Sequence, residues 1–430
     1  METRVAACSV WMTLTQRAAA LLFALALSAR ACTTDLDCSL NGLCVSGSCA
    51  CDAAWLGADC STLALLPSAR GDGDCDPSLN GTAVGYTTTW GGHPVVGDDG
   101  VWHAHVAEMA LHCGMCAWGS QSQVAHYVAA SVTGPYARRD LAVGAFAHNP
   151  VVVRTPAGTP NNASFIMFHI GIGCDSAGAH ACNYTGMPEC ANGSTPIHPG
   201  RPTSRIPPPP NVTRATTHVA ASLDGPWLET PASWRLPSCS NPAPVFLRNG
   251  SLALFCHGSY QQCGPLSGGL SFFMSASANW TAGPYNFQCL NVTNPTYTFN
   301  GTVFHPANED PHAYVDERGA LHVLTHNQSP CYSGPVAAAF YGADVRGCGG
   351  HFYSADGGAS WTFAWRAAYN GTVLFSDGAR MTYKRERPKV VQDARGRIVA
   401  LATGVGPSLV DAFAAPNDTA CTLVAAVRGA

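Results

Sequence analysis

Residues 310–327 read DPHAYVDERGALHVLTHN: a residue followed by proline, an apolar run, an Arg-Gly turn and a second apolar run. Proline is tolerated at a strand's entry because that residue need not donate to the ladder. A Gly-containing turn between two such runs is a hairpin signal. The same order of parts recurs at 93–109 (HPVVGDDGVWHAHVAEM), at 149–171 (NPVVVRTP to ASFIMFHIG), at 241–258 (NPAPVFLRNGSLALFCHG) and at 387–404 (RPKVVQDARGRIVALATG). A second class of strand lies between them: VAHYVAASVTGPY (124–136), THVAASLDGPW (217–227), LSFFMSASANWTAGPY (270–285) and GHFYSADGGASW (350–361). Two hairpin strands plus one or two outer strands, repeated radially, is the pattern of propeller blades. The predicted fold class is therefore all-β, a five-bladed β-propeller over residues 85–430. Pro94, Pro150, Pro242, Pro311 and Pro388 are expected at matching positions on five inner strands, and residues 421–427 (CTLVAAV) as a late strand of the fifth blade. Residues 172–213, with Cys174, Cys182, Cys190 and the run Pro207 to Pro210, read as a disulfide- and proline-rich loop insertion.

Composition agrees. The 430 residues carry a net charge of −4, and only 12% are charged, about half the usual roughly 25%. Hydrophobic residues make up 47%, and 44 Gly with 30 Pro disfavour long helices. A disordered acidic or basic tail would be charge-rich and aromatic-poor. A nucleic-acid binder would show a basic stripe, whereas the only lysines are Lys384 and Lys389.

The first 31 residues read as a signal peptide. Arg4 and Arg17 precede the apolar run 18–29, and Ala29-Arg30-Ala31 offers a small-x-small cleavage site. No later stretch reaches the length of about 20 apolar residues that a membrane span needs. Twenty cysteines fit an oxidising compartment. Sequons begin at Asn80, Asn162, Asn183, Asn192, Asn211, Asn249, Asn279, Asn291, Asn300, Asn327, Asn370 and Asn417, twelve of nineteen asparagines. The expectation is a secreted, extracellular glycoprotein whose glycans supply the solubility that few charges cannot.

Residues 32–60 (CTTDLDCSLNGLCVSGSCACDAAWLGADC) hold six cysteines, more than a core that small would use, so disulfides must staple this piece. Spacing alone leaves all fifteen connectivities open. The ending C-x-C-x5-G-x2-C, from Cys49 and Cys51 through Gly57 to Cys60, resembles an EGF-like domain. That resemblance implies the pairs Cys32–Cys44, Cys38–Cys49 and Cys51–Cys60. It implies no calcium, since the acidic residues that calcium-binding modules carry before their first cysteine are missing. Residues 61–84 read as a linker.

The remainder, over residues 85–405, resembles the five-bladed superfamily of arabinanases, levansucrases and invertases, in its blade rhythm and in the strand-opening x-Pro motif, above all Glu309-Asp310-Pro311. A second likeness, Ser354-Ala355-Asp356-Gly357-Gly358-Ala359-Ser360-Trp361, matches the S-x-D-x-G-x-x-W Asp-box of sialidases, a turn that stabilises a blade and occurs in non-enzymes too. The Arg-Ile-Pro at 205–207 sits in the proline loop and is dismissed as a sialidase strand motif.

Inner-strand beginnings of a propeller converge on one end of the channel, the natural concave site. By this alignment they are His93, Asn149, Asn241, Asp310 and Arg387. The superfamily resemblance implies an Asp on blade one, another on blade two and a Glu further on, and His93 and Asn149 stand at the first two. Glycoside cleavage needs two carboxylates across the scissile bond. The candidates are Glu309, Asp310, Glu386 and Glu108, with Arg385 and Arg387 orienting an acidic or hydroxyl-rich sugar. Against these stand plainer readings: Glu386 as a salt bridge within Lys384-Arg385-Glu386-Arg387, Glu309-Asp310 as a turn cap, and Asp98 and Asp99 as turn residues. His103, His105, His112, Cys113 and Cys116 have metal-like spacing, but in an oxidising compartment the two cysteines suit a disulfide. The C-G-M-C pair lacks the βαβ context of a redox motif. No metal and no cofactor is expected. The functional expectation is a glycosidase-like propeller acting on or binding an extracellular carbohydrate or glycoprotein. Whether it cuts is left open. The alternative is a non-catalytic adhesion or lectin-like protein.

Overall fold

The computed structural model describes residues 31–71, 87–115, 118–171, 173, 215–231, 233–237, 239–258, 260–299, 302–327, 348–406 and 420–430. The signal segment, the linker beyond Gly71 and all but Gly173 of the 172–213 insertion, with its Arg-Ile-Pro, lie outside these residues.

Five antiparallel sheets follow one another along the chain. Blade 1 runs Thr89–Val96, Trp102–Met109, Ser122–Ala129 and Ala137–Val143. Blade 2 runs His148–Arg154, Phe165–Ile170, Ala215–Ala220 and Leu228–Glu229. Blade 3 runs Ser240–Phe246, Leu252–His257, Leu270–Ser275 and Tyr285–Cys289. Blade 4 runs Asn308–Val315, Leu321–Asn327, Gly349–Ser354 and Thr362–Ala364. Blade 5 has Lys384–Gln392, Ile398–Gly406 and Cys421–Ala426. The expected five-bladed propeller is what the chain builds, with 421–426 as the late strand of blade 5.

Inner strands read as nearly continuous apolar runs because both faces are covered by neighbouring blades. All six residues of Phe165–Ile170 are buried, whereas the outer strand Ala137–Val143 is mostly exposed. Between blades 3 and 4 the core is aromatic: Phe255, Phe272, Trp361 and Phe363 pack with Val323 and Leu270. The Asp-box is the turn that leads into the last strand of blade 4. Asp356 accepts from Ser354 Oγ (2.7 Å), Ser360 N (2.9 Å) and Ser360 Oγ (2.6 Å), and Trp361 Nε1 donates to Gly358 O (3.0 Å). Its work here is to seat Trp361, 1% exposed, in that aromatic core.

The N-terminal module has the three pairs Cys32–Cys44, Cys38–Cys49 and Cys51–Cys60. It is not a free bead. Trp55 stacks on His351 of blade 4 (5.2 Å), Asp52 pairs with Arg318 (2.6 Å), and Tyr353 donates to Leu36 O (3.1 Å). Residues after the module continue into the propeller: Leu65 bridges Val427, Leu66 N donates to Ala426 O (2.8 Å) and Arg428 N to Ala64 O (2.9 Å). This segment lies beside the last strand of three-stranded blade 5 as a fragment of a fourth strand, tying the two ends of the described chain together.

With six module cysteines paired internally, thirteen later ones remain, from Cys75 to Cys421. Two pairs are Cys239–Cys256 and Cys263–Cys289, and Cys113, Cys348 and Cys421 are also disulfide-bonded. An odd number cannot all pair within one chain. Alkylation of unreduced, monomeric protein is therefore expected to label at least one thiol by mass spectrometry; complete blocking of all thirteen in a monomer would sink this.

Candidate functional site

Each innermost strand slips its pairing by one residue at the same point. The slip falls between Thr89 and Gly92, His148 and Val151, Ser240 and Ala243, Glu309 and His312, and Glu386 and Lys389. In four blades the x of the x-Pro motif occupies the bulge in a left-handed conformation: Asn149 (φ 53), Asn241 (φ 46), Asp310 (φ 50) and Arg387 (φ 55). Asn and Asp tolerate that region, and the following proline needs no ladder donor inside a bulge. For Arg387 the conformation is uncommon, a strain of the kind that clusters at functional sites. A bulge re-aims a side chain out of the strand's alternation. Four side chains from four blades thus converge on the channel mouth.

Blade 1 departs from the alignment. Its left-handed residue is Gly91 (φ 76), and a Cβ there would lie 3.0 Å from the Cβ of Arg387, so only glycine fits. His93 and Pro94 lie beyond the bulge, in regular pairing with His105 and Ala104. The expectation that Pro94 matches the other four prolines is corrected accordingly, and so is the alignment of His93 with the mouth. His93 sits deeper, bonded through Nδ1 to Val152 O (2.8 Å) and edge-on to His312 (5.0 Å).

At the mouth Asn149 is the hub. Its Nδ2 donates to Asn241 Oδ1 (3.2 Å) and Asp310 Oδ1 (3.5 Å), and its Oδ1 accepts from Lys389 Nζ (3.3 Å). Asp310, 2% exposed, faces Arg387 Nε at 3.7 Å. Arg387 Nη1 donates to His148 Nε2 (2.6 Å), so that nitrogen is an acceptor and the proton sits on Nδ1, which donates to Ser122 Oγ (2.6 Å). Ser122 Oγ in turn donates to Ala147 O (2.9 Å), which closes the chain. Glu386 pairs with Lys384 Nζ at 2.8 Å and lies 3.7 Å from His326 Nδ1. Glu309 is 4.0 Å from His257 Nδ1.

The electrostatics separate these groups. Burial first, then the charges of Asp310 and Glu386, push the Glu309 carboxyl up to about 8, against the pull of Arg387 and Lys384. Glu309 therefore keeps its proton at neutral pH. Lys389, wholly buried, is pushed down to about 7 by burial, with Asp310 opposing and Arg387 adding to the fall. Burial, and then Arg387, holds His148 far below its ordinary range, in keeping with its acceptor nitrogen.

Three expected residues stand elsewhere. Glu108 is consumed by blade 1: its oxygens accept from Gln123 Nε2 (2.7 Å), Tyr127 Oη (2.7 Å) and Arg138 Nε (2.9 Å). Arg385 lies on the strand face opposite Lys384 and Glu386, as alternation requires. It donates to Thr403 Oγ1 (3.0 Å) and Asn370 O (3.4 Å) and packs over Tyr369. His93 is the third, as described. Five residues that sequence reasoning missed join the mouth: His148, His257, His326, Lys384 and Lys389. The signal for the lysines was their rarity, since both lysines of the chain are here.

Asp310, His326 and Glu386 bring one potential ligand atom each within 4.8 Å of one another, but Lys384 and Arg387 already neutralise these carboxylates. His103, His126 and Asp224 form a second such group, in which His103 Nδ1 and His126 Nε2 share a hydrogen bond (2.9 Å).

Residues 34–62 match the family model described as a Teneurin-like EGF domain. No curated protein matches the chain. Among solved structures it is similar to the endo-arabinase from Bacteroides thetaiotaomicron, at 11% identity over 79% of this chain and 94% of that one, with a TM-score of 0.43. It is similar to a GH43 β-xylosidase/α-arabinofuranosidase from a compost microbial metagenome, at 9% identity over 80% and 92% of the two chains, TM-score 0.46. A GH43_1 enzyme from Xanthomonas citri gives 9% identity over 81% and 90%, TM-score 0.43. These are likenesses of fold; the chemistry of the mouth rests on its own side chains.

Proposed function

We propose that the propeller mouth cleaves glycosidic bonds of an extracellular carbohydrate, with Glu309 as proton donor and Glu386 as its opposing carboxylate. The observation that carries this reading is the split between acids: Glu309 held protonated at neutral pH beside Asp310 and Glu386. Pairs of carboxyls whose environments push their affinities for protons apart are how one site runs acid and base chemistry together. In the proposed step the Glu309 proton passes to the leaving oxygen as the glycosidic bond breaks. Glu386 takes a proton from the water that attacks the anomeric carbon. Asp310 and Asn149, each 2% exposed, hold the mouth together from beneath, and the Asp310 charge raises Glu309. Arg387 supplies donors for sugar hydroxyls and favours a sugar bearing a carboxylate.

Secretion belongs to the same reading, supported by the cysteine content, the sequons and the apolar N-terminal run. Among the described residues no helix is long and apolar enough to cross a membrane. The experiment is a screen of the purified protein against plant, fungal and animal oligosaccharides, with products resolved by mass spectrometry. Release of a defined product, lost in Glu309→Gln, is the expected result; binding of a glycan without any product would overturn the catalytic reading.

A further inference from the structure

Arg385 is the least explained residue of the channel-facing blades. It is 1% exposed, and no carboxylate contributes to its environment: burial pulls it down to about 10, and only Tyr369 offsets that. Nε and Nη1 have acceptors, but Nη2 is buried with none. A buried guanidinium with no counter-charge and an unmade hydrogen bond is a cost that folding alone does not justify.

The same residue lines a cavity of about 370 Å³ between the segment after the EGF-like module and the edge of blade 5. Thr372 also lines it, and its buried Oγ1 has no partner either. The rest of the wall is mixed: Thr62, Ser68, Arg366 and Asn370 are polar, Leu63, Leu65 and Val373 apolar, and three residues on it are exposed leucines, Leu56 (36%), Leu66 (43%) and Leu374 (49%). Two orphaned polar atoms and an open apolar rim on one cavity describe a ligand with a charged head and a greasy body. The size lies in the ordinary range of small-molecule sites.

We propose that this cavity binds an organic carboxylate, its head on Arg385 Nη2 and Thr372 Oγ1 and its apolar body against Leu63, Leu65 and Leu66. The site is separate from the mouth, because Arg385 points to the opposite strand face from Glu386. A carboxylate there supplies the missing counter-charge and joins the N-terminal segment to blade 5, so occupancy stabilises the closure of the ring.

Octanoate is the probe, with octanol as its neutral counterpart and sulfate as a bare anion. Calorimetry on the full chain is expected to give one octanoate site and a raised melting temperature, with octanol and sulfate at least tenfold weaker. Arg385→Met should abolish octanoate binding and raise the melting temperature of the ligand-free protein, since it removes an unpaired buried charge. Leu66→Trp, which fills the rim and keeps the charge, should abolish binding without that rise. The proposal is overturned if wild type binds no octanoate, if octanol or sulfate binds as well, if Leu66→Trp leaves binding intact, or if Arg385→Met melts lower than wild type and still binds.

Discussion

Acidification is expected to unfold this protein cooperatively near pH 5, well above the range in which carboxylate protonation denatures most domains. The cause is a set of histidines buried in neutral form. Burial, before any charge, lowers His93 to about 4 and His169 to about 3, and holds His105, His148, His312 and His351 well below 6.5. In the unfolded chain each would titrate near 6.5, so the unfolded state binds more protons at every pH between the two values. Stability from these groups is therefore fully present above about pH 7 and is lost as pH falls through 6.5 toward the folded values. At pH 5 His93 and His169 each cost about 2 kcal/mol, following from roughly 1.4 kcal/mol per pH unit, and the other four act in the same direction. A handful suffices to cancel a typical stability of about 5–15 kcal/mol. Glu309 works in the opposite sense, since its raised carboxyl favours the folded state as pH falls from 8, but it is one group against six. Asp316, Asp356 and Asp393, whose carboxyls are held low by their partners, withdraw support only below about pH 4. Tryptophan fluorescence and circular dichroism across pH 3–8 check this. A midpoint below pH 4 would mean that these histidines titrate with their surroundings intact.

The propeller was legible because its repeat is written in chemistry that a bulge demands. An Asn, Asp or other residue in the left-handed region followed by proline, at 149, 241, 310 and 387, announces the same backbone event four times. Blade 1 meets the same demand with Trp90-Gly91-Gly92, and there the proline motif misled: His93-Pro94 is a similar word two residues too late on the same strand. The useful signal was the glycine pair, since Gly91 takes the conformation and its missing Cβ makes room for Arg387. Glu108 was misjudged for another reason. A strand position says which residues are near the mouth, but Arg138, on an outer strand thirty residues away in sequence, decides that Glu108 is spent in an ion pair. The strand alternation that parts Arg385 from Glu386 was readable in principle, and the bulge at Arg387 obscured it by breaking the alternation one residue later. His257 and His326 were unreadable because they enter from the ends of second strands, which carry no motif.

Glu309→Gln is expected to lower turnover of a confirmed glycan by roughly 10²–10⁴, the usual worth of a positioned general acid, with little change in KM. The amide keeps the shape and removes the proton. In wild type the rate should fall as pH rises through about 8, because the group must be protonated to act and its carboxyl is pushed up to about 8. Asp310→Asn separates the roles. Removing the Asp310 charge relieves one of the causes that raise Glu309, so the alkaline fall should move to lower pH while turnover at its optimum persists. Glu386→Gln removes the opposing carboxylate and should stop turnover, whatever its own effect on Glu309. Glu108→Gln, by contrast, should lower the melting temperature through the loss of its pair with Arg138 and leave the rate on folded protein unchanged. The assignment fails if Glu309→Gln retains wild-type turnover, or if the alkaline fall stays at the same pH in that variant. A rate loss in Glu309→Gln that leaves the alkaline fall in place would make Glu309 a binding group and pass the proton to another residue, for which Lys389, lowered to about 7 by burial, is the candidate.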